Sequence, residues 1–217
     1  MSTVRGMPPG RAGRVWLNRR IEVAERGTGL LETKLRILAA EEQRFELMAE
    51  RTERAWAQAV ADADTWMARA RLLSGQRGIR FAATDELAEV SVRWGTAMGV
   101  QYPDGALVHL PVPAPDRPTP DNSALALAAR AYQHALECGA EHAAATAALE
   151  AVRTEVTTTR RRLRALQKRW APRLQAARLA LAESLEEAER EDGVRLRWSA
   201  GRLGPGTAAG ADEGRPR

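Results

Sequence analysis

The sequence predicts a mainly α-helical protein in which the N- and C-terminal segments form a long antiparallel two-helix coiled coil, with a small strand-containing head between them. Two long stretches, one at each end of the chain, carry apolar residues at heptad spacing. Charged residues make up 28% and aromatic residues 5% of the 217 residues, which is typical of long helices. Between the two stretches, glycines, prolines and alternating apolar residues indicate short strands.

The first helix is expected over residues 14–74, after a flexible N-terminus over residues 1–13 that contains prolines and glycines. Nearly all of its a and d positions are apolar, and a seam held at this period keeps one helix pressed on a partner. About 60 helical residues give a length on the order of 90 Å. Gly75 is expected to end the helix because glycine favours the left-handed conformation of a helix C-terminus. The large side chains of the predicted seam are Leu31, Leu35, Leu38, Phe45, Trp56 and Trp66.

A head is expected over residues 75–120. Glu89–Trp94 alternates polar and apolar residues, and Ala106–Val112 is a second strand-like run. Pro103-Asp104-Gly105 stands just before the second run as a turn signal. The prolines from Pro111 onwards predict a stiff extended strap that leads into the second helix.

The second helix is expected over residues 121–193, followed by a disordered tail over residues 194–217. Polar residues at its start are candidate N-caps: Asp121, Asn122 and Ser123. The apolar seam shifts near Pro172, where proline removes one helical hydrogen bond, so a kink is expected there. The large side chains of this predicted seam are Leu149, Val156, Leu163, Leu166, Trp170 and Leu181.

Charge placement favours antiparallel pairing of the two helices. If the helices fold back on one another, paired residues have numbers that add up to roughly 195. Arg11 then lies near Glu186, and Arg51 and Arg54 lie near Glu141, so opposite charges meet along the helices. Each exposed ion pair contributes little, typically below about 1 kcal/mol.

Composition narrows the class of protein. There are 33 Lys and Arg against 28 Asp and Glu, a net charge of +5 that permits contact with acidic surfaces without requiring it. One cysteine excludes an internal disulfide framework and fits a reducing compartment. The N-terminal residues lack the apolar core of a signal peptide, and no run approaches the roughly 20 apolar residues of a membrane span. These observations predict a soluble, cytoplasmic protein.

The best candidate for a metal site is His134, Cys138 and His142, which lie on one face of the second helix. Three groups stacked along one straight helix rarely converge on one ion, so a structural role is favoured and no metal or cofactor is expected. No nucleophile, base and orienting group stand together in a pattern that indicates catalysis. The protein is therefore not expected to be an enzyme in its own right.

The strongest charge cluster is the basic run from Arg160 to Arg164, continued by Lys168, Arg169 and Arg173. Three interpretations stay open: solvated or intrahelical charges, a protein partner that offers carboxylates, or nucleic acid. Tryptophans on the seam are expected to pack in the core, whereas Trp94 in the head is a better candidate for a contact surface.

The order and spacing of several motifs resemble the D subunit of V-type and archaeal A-type rotary ATPases, and the resemblance extends to about Trp198. The N-terminal motif is Ala24-Glu25-Arg26-Gly27 followed by Leu30, Leu31 and Lys34. The middle motif is Met98-Gly99-Val100 with Pro103. The C-terminal motifs are Arg161-Arg162-Leu163, Ala165-Leu166, Pro172, Leu185, Glu187, Glu189-Arg190-Glu191 and Arg195-Leu196. The chain departs from the family pattern at Arg164, where asparagine is usual, and at Gln167, where an acidic residue is usual.

The resemblance implies a non-catalytic central rotor shaft that couples ATP hydrolysis or synthesis to proton or sodium transport. The implied partners are the catalytic hexamer of A and B subunits, the F subunit of the stalk and the funnel subunit (C/d type) on the membrane ring. Nucleic acid is not the expected partner, and the location is cytoplasmic, peripheral to the cell membrane, without insertion. Candidate contact residues are Arg26, Trp94, Met98, Arg161, Arg162 and Arg164. The alternative from the residues alone is a free-standing coiled-coil adaptor or a nucleic-acid-associated protein.

Overall fold

The computed structural model describes residues 6–83, 86–111 and 122–202, with side chains as far as Ser199. Its elements in chain order are helix α1 (Gly10–Ala82), strands β1 (Glu89–Ala97) and β2 (Val100–His109), helix α2 (Ser123–Ala165), a π-helical turn (Leu166–Trp170) and helix α3 (Ala171–Arg202). The predicted fold class is therefore confirmed: two long helical segments flank a small antiparallel sheet. None of the described helices contains a run long and apolar enough to span a membrane.

The chain divides into two compact units, which are described separately. The terminal unit consists of Met1–Gly29 and Leu163–Arg217, and the central unit consists of Leu30–Arg162. Each unit holds a piece of α1 against a piece of the second helical segment. Each also has its own buried core.

In the terminal unit, the start of α1 packs antiparallel against α3. Leu17, Ile21 and Ala24 form a buried cluster with Leu174, and Leu17 and Leu174 are almost completely enclosed. Farther towards the N-terminus, Arg11 pairs with Glu189 across 3.0 Å. Residue numbers that rise along α1 therefore meet numbers that fall along α3, as the antiparallel pairing requires.

A π-helical turn stands where the sequence indicated a shift of the apolar seam. The backbone N–H of Ala171 donates to the carbonyl of Leu166, and Pro172, which lacks an N–H, follows directly. Leu166 and Leu174 are one residue farther apart than a heptad, and a π turn takes up one extra residue. The seam thus passes from the partly buried Leu166 to the buried Leu174, and Trp170 lies outside it.

The core of the central unit changes in character along the coiled coil. One end is built from large side chains, with Leu38 and Phe45 packed among Leu149, Val152 and Val156. The rest relies on alanines, which let the two helices approach closely. One such cluster is Ala59 and Ala63 with Ala135, and the other is Ala70 with Ala124, Ala128 and a single leucine, Leu125.

Polar contacts across the central coiled coil agree with the expected antiparallel register. The numbers of the partners add up to roughly 195, as expected for this register. The contacts are Lys34 with Glu155, Arg153 with Glu42 and Glu46, Thr52 with His142, Asp64 with Tyr132, and Ser74 with Asn122. Asn122 Oδ1 also accepts from the N–H of Leu125 across 2.9 Å, so it caps the start of α2.

Gly75 breaks α1, although the helix does not end there. This residue has φ 60° and ψ −176°, a conformation that favours glycine, and the helix then resumes to Ala82. Ile79 and Ala82 pack on the cluster around Ala70, so the resumed turns cover the end of the coiled coil. The second segment also passes its expected end at Gly193 and stays helical to Arg202. The proposed strap beyond Pro111 and the tail beyond Arg202 lie outside the described residues.

The described part of the head contains one antiparallel hairpin, and its turn is not where the sequence suggested. β1 and β2 are joined at Met98 and Gly99, which both have positive φ, at 50° and 81°. Such a pair fits the tight turns of two-residue hairpins. Pro103-Asp104-Gly105, expected as the turn, instead lies within β2, where Asp104 forms a bulge opposite Arg93 and Trp94.

Candidate partner-binding surfaces

The predicted seam residues differ in burial. Leu38, Phe45, Leu149 and Val156 are buried. A second group is partly buried: Leu31, Leu35, Trp66, Leu163, Leu166 and Leu181. Trp56 and Trp170 are 41% and 50% exposed, so both present much of the indole ring to the outside. Two large aromatic side chains predicted for the seam are thus only partly enclosed by the coiled coil.

Trp56 lies flat against a small-residue face of α2. Its ring stacks on His142 with centroids 5.6 Å apart and an interplanar angle of 18°. Gly139 gives it room, because a Cβ there would lie 3.0 Å from Trp56 Nε1. His142 Nδ1 is 3.2 Å from Thr52 Oγ1, which fixes the imidazole beside the indole. The stacked pair is therefore held in place from both helices.

An apolar cleft of about 660 Å³ opens between the hairpin and α2. Its larger side chains come from α1, the hairpin and α2: Trp56, Val90, Val92, Trp94, Leu136 and His142. The floor on α2 consists mainly of small residues: Ala135, Gly139, Ala140, Ala143, Ala144 and Ala147. Trp94 is 65% exposed, so the cleft offers an aromatic ring beside a shallow, smooth surface. Such a surface suits the apolar face of a helix or strand from another chain.

An aromatic pair anchors the hairpin to the coiled coil, together with Ala97 and Val100, which pack on the same core. Tyr102 in β2 and Phe45 in α1 meet edge to face with ring centroids 4.8 Å apart, and both are buried. Gly95 makes this possible, because a Cβ there would lie 2.9 Å from the Tyr102 ring. Arg44 covers the Phe45 ring at 4.4 Å. These contacts hold the hairpin on α1 and thereby fix the hairpin side of the cleft.

The three candidate metal ligands do not converge. Cys138 Sγ is 3.7 Å from His134 Nε2, whereas His142 is engaged by Thr52 and Trp56. Burial and two nearby glutamates raise the pKa of the Cys138 thiol, which favours its protonated form. In the part of the chain that the structure describes, no three His, Cys, Asp or Glu side chains form a group that could hold a metal ion.

The predicted contact residues are all exposed but lie in both units. Arg26 and Arg164 belong to the terminal unit. Trp94, Met98, Arg161 and Arg162 belong to the central unit, with Met98 at the tip of the hairpin. Trp94 is the member of this set that lines the apolar cleft.

Further exposed apolar side chains lie along the chain on both sides of the break in α1. Leu72, Leu73 and Phe81 are exposed, and Leu87 before β1 is 91% exposed. We call these four residues the end surface. Sequence reasoning missed the end surface and the cleft. The signal for the cleft was the repeat of Gly139, Ala143 and Ala147 at intervals of one helical turn, which marks a face where another segment can approach closely.

Comparison with known proteins identifies the family to which the chain belongs. The family model for the D subunit of ATP synthase matches residues 15–200. The chain is also 30% identical over 197 residues to the D subunit of the V-type ATP synthase of Anaeromyxobacter sp. (strain Fw109-5), and the match covers 88% of this chain and 91% of the relative. The resemblance identified from its motifs is thereby confirmed, and the chain belongs to the family of ATP synthase D subunits.

Proposed function

We propose that this chain is the central rotor subunit of a V/A-type rotary ATPase. Its family membership makes it a stalk subunit of such an enzyme. In this role it couples ATP hydrolysis or synthesis by the A and B subunits to proton or sodium transport across the membrane. The observation that carries the proposal is the family match over nearly the whole chain, on a protein built from two antiparallel helices.

In this proposal the chain transmits rotation and performs no chemistry. The two helices lie inside the A and B hexamer and, being asymmetric, contact its three catalytic sites differently. Rotation then shifts each site between states that bind nucleotide with different affinity. The close helix packing through Ala59, Ala63 and Ala70 supports this role because it gives a slim coiled coil.

The apolar cleft is the surface at which we propose that the F subunit of the stalk binds. It is built by the hairpin, which is fixed on the coiled coil by the Phe45–Tyr102 contact, so a partner bound there would turn with the shaft. Trp94 and Trp56 supply the aromatic anchors that are common in protein interfaces. An apolar segment of the partner would cover the two rings and the small residues of α2.

The end surface is proposed to dock on the funnel subunit (C/d type) above the membrane ring. Leu72, Leu73, Phe81 and Leu87 would be costly to leave in water, and a partner that covers them would gain from their burial. In this proposal the protein lies at the cytoplasmic side of the membrane as a peripheral part of the complex. Contact with the membrane itself is not part of the proposal.

A pulldown of the tagged native chain from its host tests the proposal. Mass spectrometry would identify the partners, and the eluate would be assayed for ATPase activity. We expect the A, B and F subunits together with ATP hydrolysis. Recovery of the chain alone, or with nucleic acid, would refute the rotor and favour the free-standing adaptor. The same pulldown with Trp94→Ala should deplete the F subunit and leave the A and B subunits bound.

A further inference from the structure

The terminal unit carries a concentrated band of positive charge beside the π-helical turn. Over residues 14–26 and 164–178 there are nine basic side chains and two acidic ones, Glu22 and Glu25. We call the nine basic residues the basic belt: Arg14, Arg19, Arg20, Arg26, Arg164, Lys168, Arg169, Arg173 and Arg178. The two stretches lie at the same level of the coiled coil, because Leu17, Ile21, Ala24, Leu166 and Leu174 pack in one cluster between them.

The belt lacks ion pairs within the part of the chain that the structure describes. All nine residues are exposed. By contrast, the next stretch of α3 is acidic and pairs its carboxylates locally, as in Arg190 with Glu186 and Glu187. Basic and acidic residues are thus separated along α3, and the unpaired basic region indicates a binding surface for a negatively charged partner.

The composition of the belt favours a protein partner that offers carboxylates. Eight of its nine cations are arginines, whose planar guanidinium group binds carboxylates through two parallel hydrogen bonds. Exposed apolar side chains lie among them, namely Trp170, Val15 and Val23. Arginine and tryptophan together are typical of protein interfaces, whereas lysine is depleted there.

We propose that the basic belt contacts a carboxylate-rich inner surface of the A and B hexamer. This inference rests on the rotor function proposed above and adds the chemistry of one contact. Exposed arginines on a smooth coiled coil make many weak, exchangeable ion pairs, each of which is readily broken and remade. Such contacts hold the shaft against the ring and still allow it to step from one subunit to the next.

The test compares two triple variants in a complex reconstituted from the A, B and F subunits and this chain. The belt variant is Arg164→Gln, Arg169→Gln and Arg173→Gln. The matched control loses the same net charge elsewhere, through Arg51→Gln, Arg80→Gln and Arg130→Gln, all exposed and in the central unit. The affinity of this chain, bound to the F subunit, would be measured against the A and B hexamer at low and at high salt.

We expect the belt variant to weaken binding by about tenfold at ~50 mM salt and by less than about threefold at ~500 mM, because salt screens exposed charges. The control should change affinity by less than about threefold at either salt. Equal loss in both variants, or no loss in the belt variant, would overturn the inference while the rotor function stands. If the wild-type chain, bound to the F subunit, did not bind the hexamer at all, the proposed rotor function itself would be refuted. Tighter binding of duplex DNA than of the hexamer, lost in the belt variant, would overturn the inference in favour of nucleic acid.

Discussion

Replacing Phe45 by alanine should destabilise the protein more than any other single change to an aromatic side chain of the central unit. The ring is 2% exposed and packs among Leu38, Leu149 and Tyr102. Truncation of a buried phenylalanine costs about 3–5 kcal/mol, which combines the lost transfer free energy with the cavity left behind. This is a large part of the roughly 5–15 kcal/mol by which a typical domain is stable.

Part of this cost comes from the contact between the hairpin and the coiled coil. The edge-to-face pair of Phe45 and Tyr102 should be worth about 0.5–1.5 kcal/mol beyond the apolar area that the rings bury. A double-mutant cycle with Phe45→Ala, Tyr102→Ala and the double variant isolates this coupling energy. The double variant should therefore lose less stability than the two single variants lose together.

Urea unfolding of the purified chain, followed by circular dichroism, gives the free energies for the cycle. Hydrogen exchange of the β1 and β2 amides reports whether the hairpin opens when the contact is removed. Phe81→Ala is a suitable control, because Phe81 is 64% exposed and its removal should change the free energy of unfolding by less than about 0.5 kcal/mol. A loss below about 1 kcal/mol for Phe45→Ala, or a coupling energy of zero, would refute this account of the core.

Three further changes test other parts of the molecule. Leu163→Asp combined with Leu166→Asp should separate the helices beside the π-helical turn and uncouple ATP turnover from ion pumping; normal coupling in an intact complex would contradict this role. Gly139→Leu should displace the Trp56 ring, which a Cβ at this position would meet at 3.0 Å, and should fill the apolar cleft. Binding of the F subunit should weaken by about tenfold or more, measured by co-purification and titration, with an unchanged helix content as the control. The hydrogen bond from Lys34 to Glu155, 2.7 Å long, lowers the pKa of the Glu155 carboxyl below its ordinary 4.5. This pair therefore stabilises the folded protein fully above pH 4.5, and the stabilisation is lost as the pH falls through the lower folded-state pKa. The difference in unfolding free energy between wild type and Lys34→Met should accordingly be measurable at neutral pH and shrink as the pH falls below 4.5.

The sequence was sufficient for the pairing of the helices because heptad spacing and charge act over the whole length of the chain. A single polar residue on the seam changes the predicted register little, because the many other seam residues support the same pairing. The predicted register is therefore close to that of the Thr52–His142 and Asp64–Tyr132 contacts. The shift of the seam near Pro172 was also visible, because one extra residue in a heptad pattern must be taken up somewhere. Its form as a π-helical turn depends on which backbone carbonyl each N–H reaches, which periodicity does not specify.

Local features of the head were harder to predict because two turn signals competed. Pro103-Asp104-Gly105 has the stronger propensity for a turn, whereas Met98 must adopt a positive φ that side-chain sterics disfavour. Cross-strand packing decided the outcome: pairing from Glu89 with His109 to Ala97 with Val100 brings Tyr102 onto Phe45. A bulge at Asp104 then absorbs the residues that resembled a turn. Such tertiary contacts override local preference and are not visible in a single sequence.

The distribution of large and small side chains links the stability of the protein to its proposed partners. Alanines fill the seam from Ala59 to Ala70, and each buried alanine removes far less apolar area from water than a leucine would. Trp56 and Trp94, by contrast, line the cleft and are exposed. The exposed apolar area of these two rings can be buried only by another chain. Binding of the F subunit should therefore raise the free energy of unfolding of the central unit well beyond that of the chain alone, by mass action. Exchanging Ala63 for leucine would not substitute for the partner, because the added volume would push apart two helices that pack through alanine.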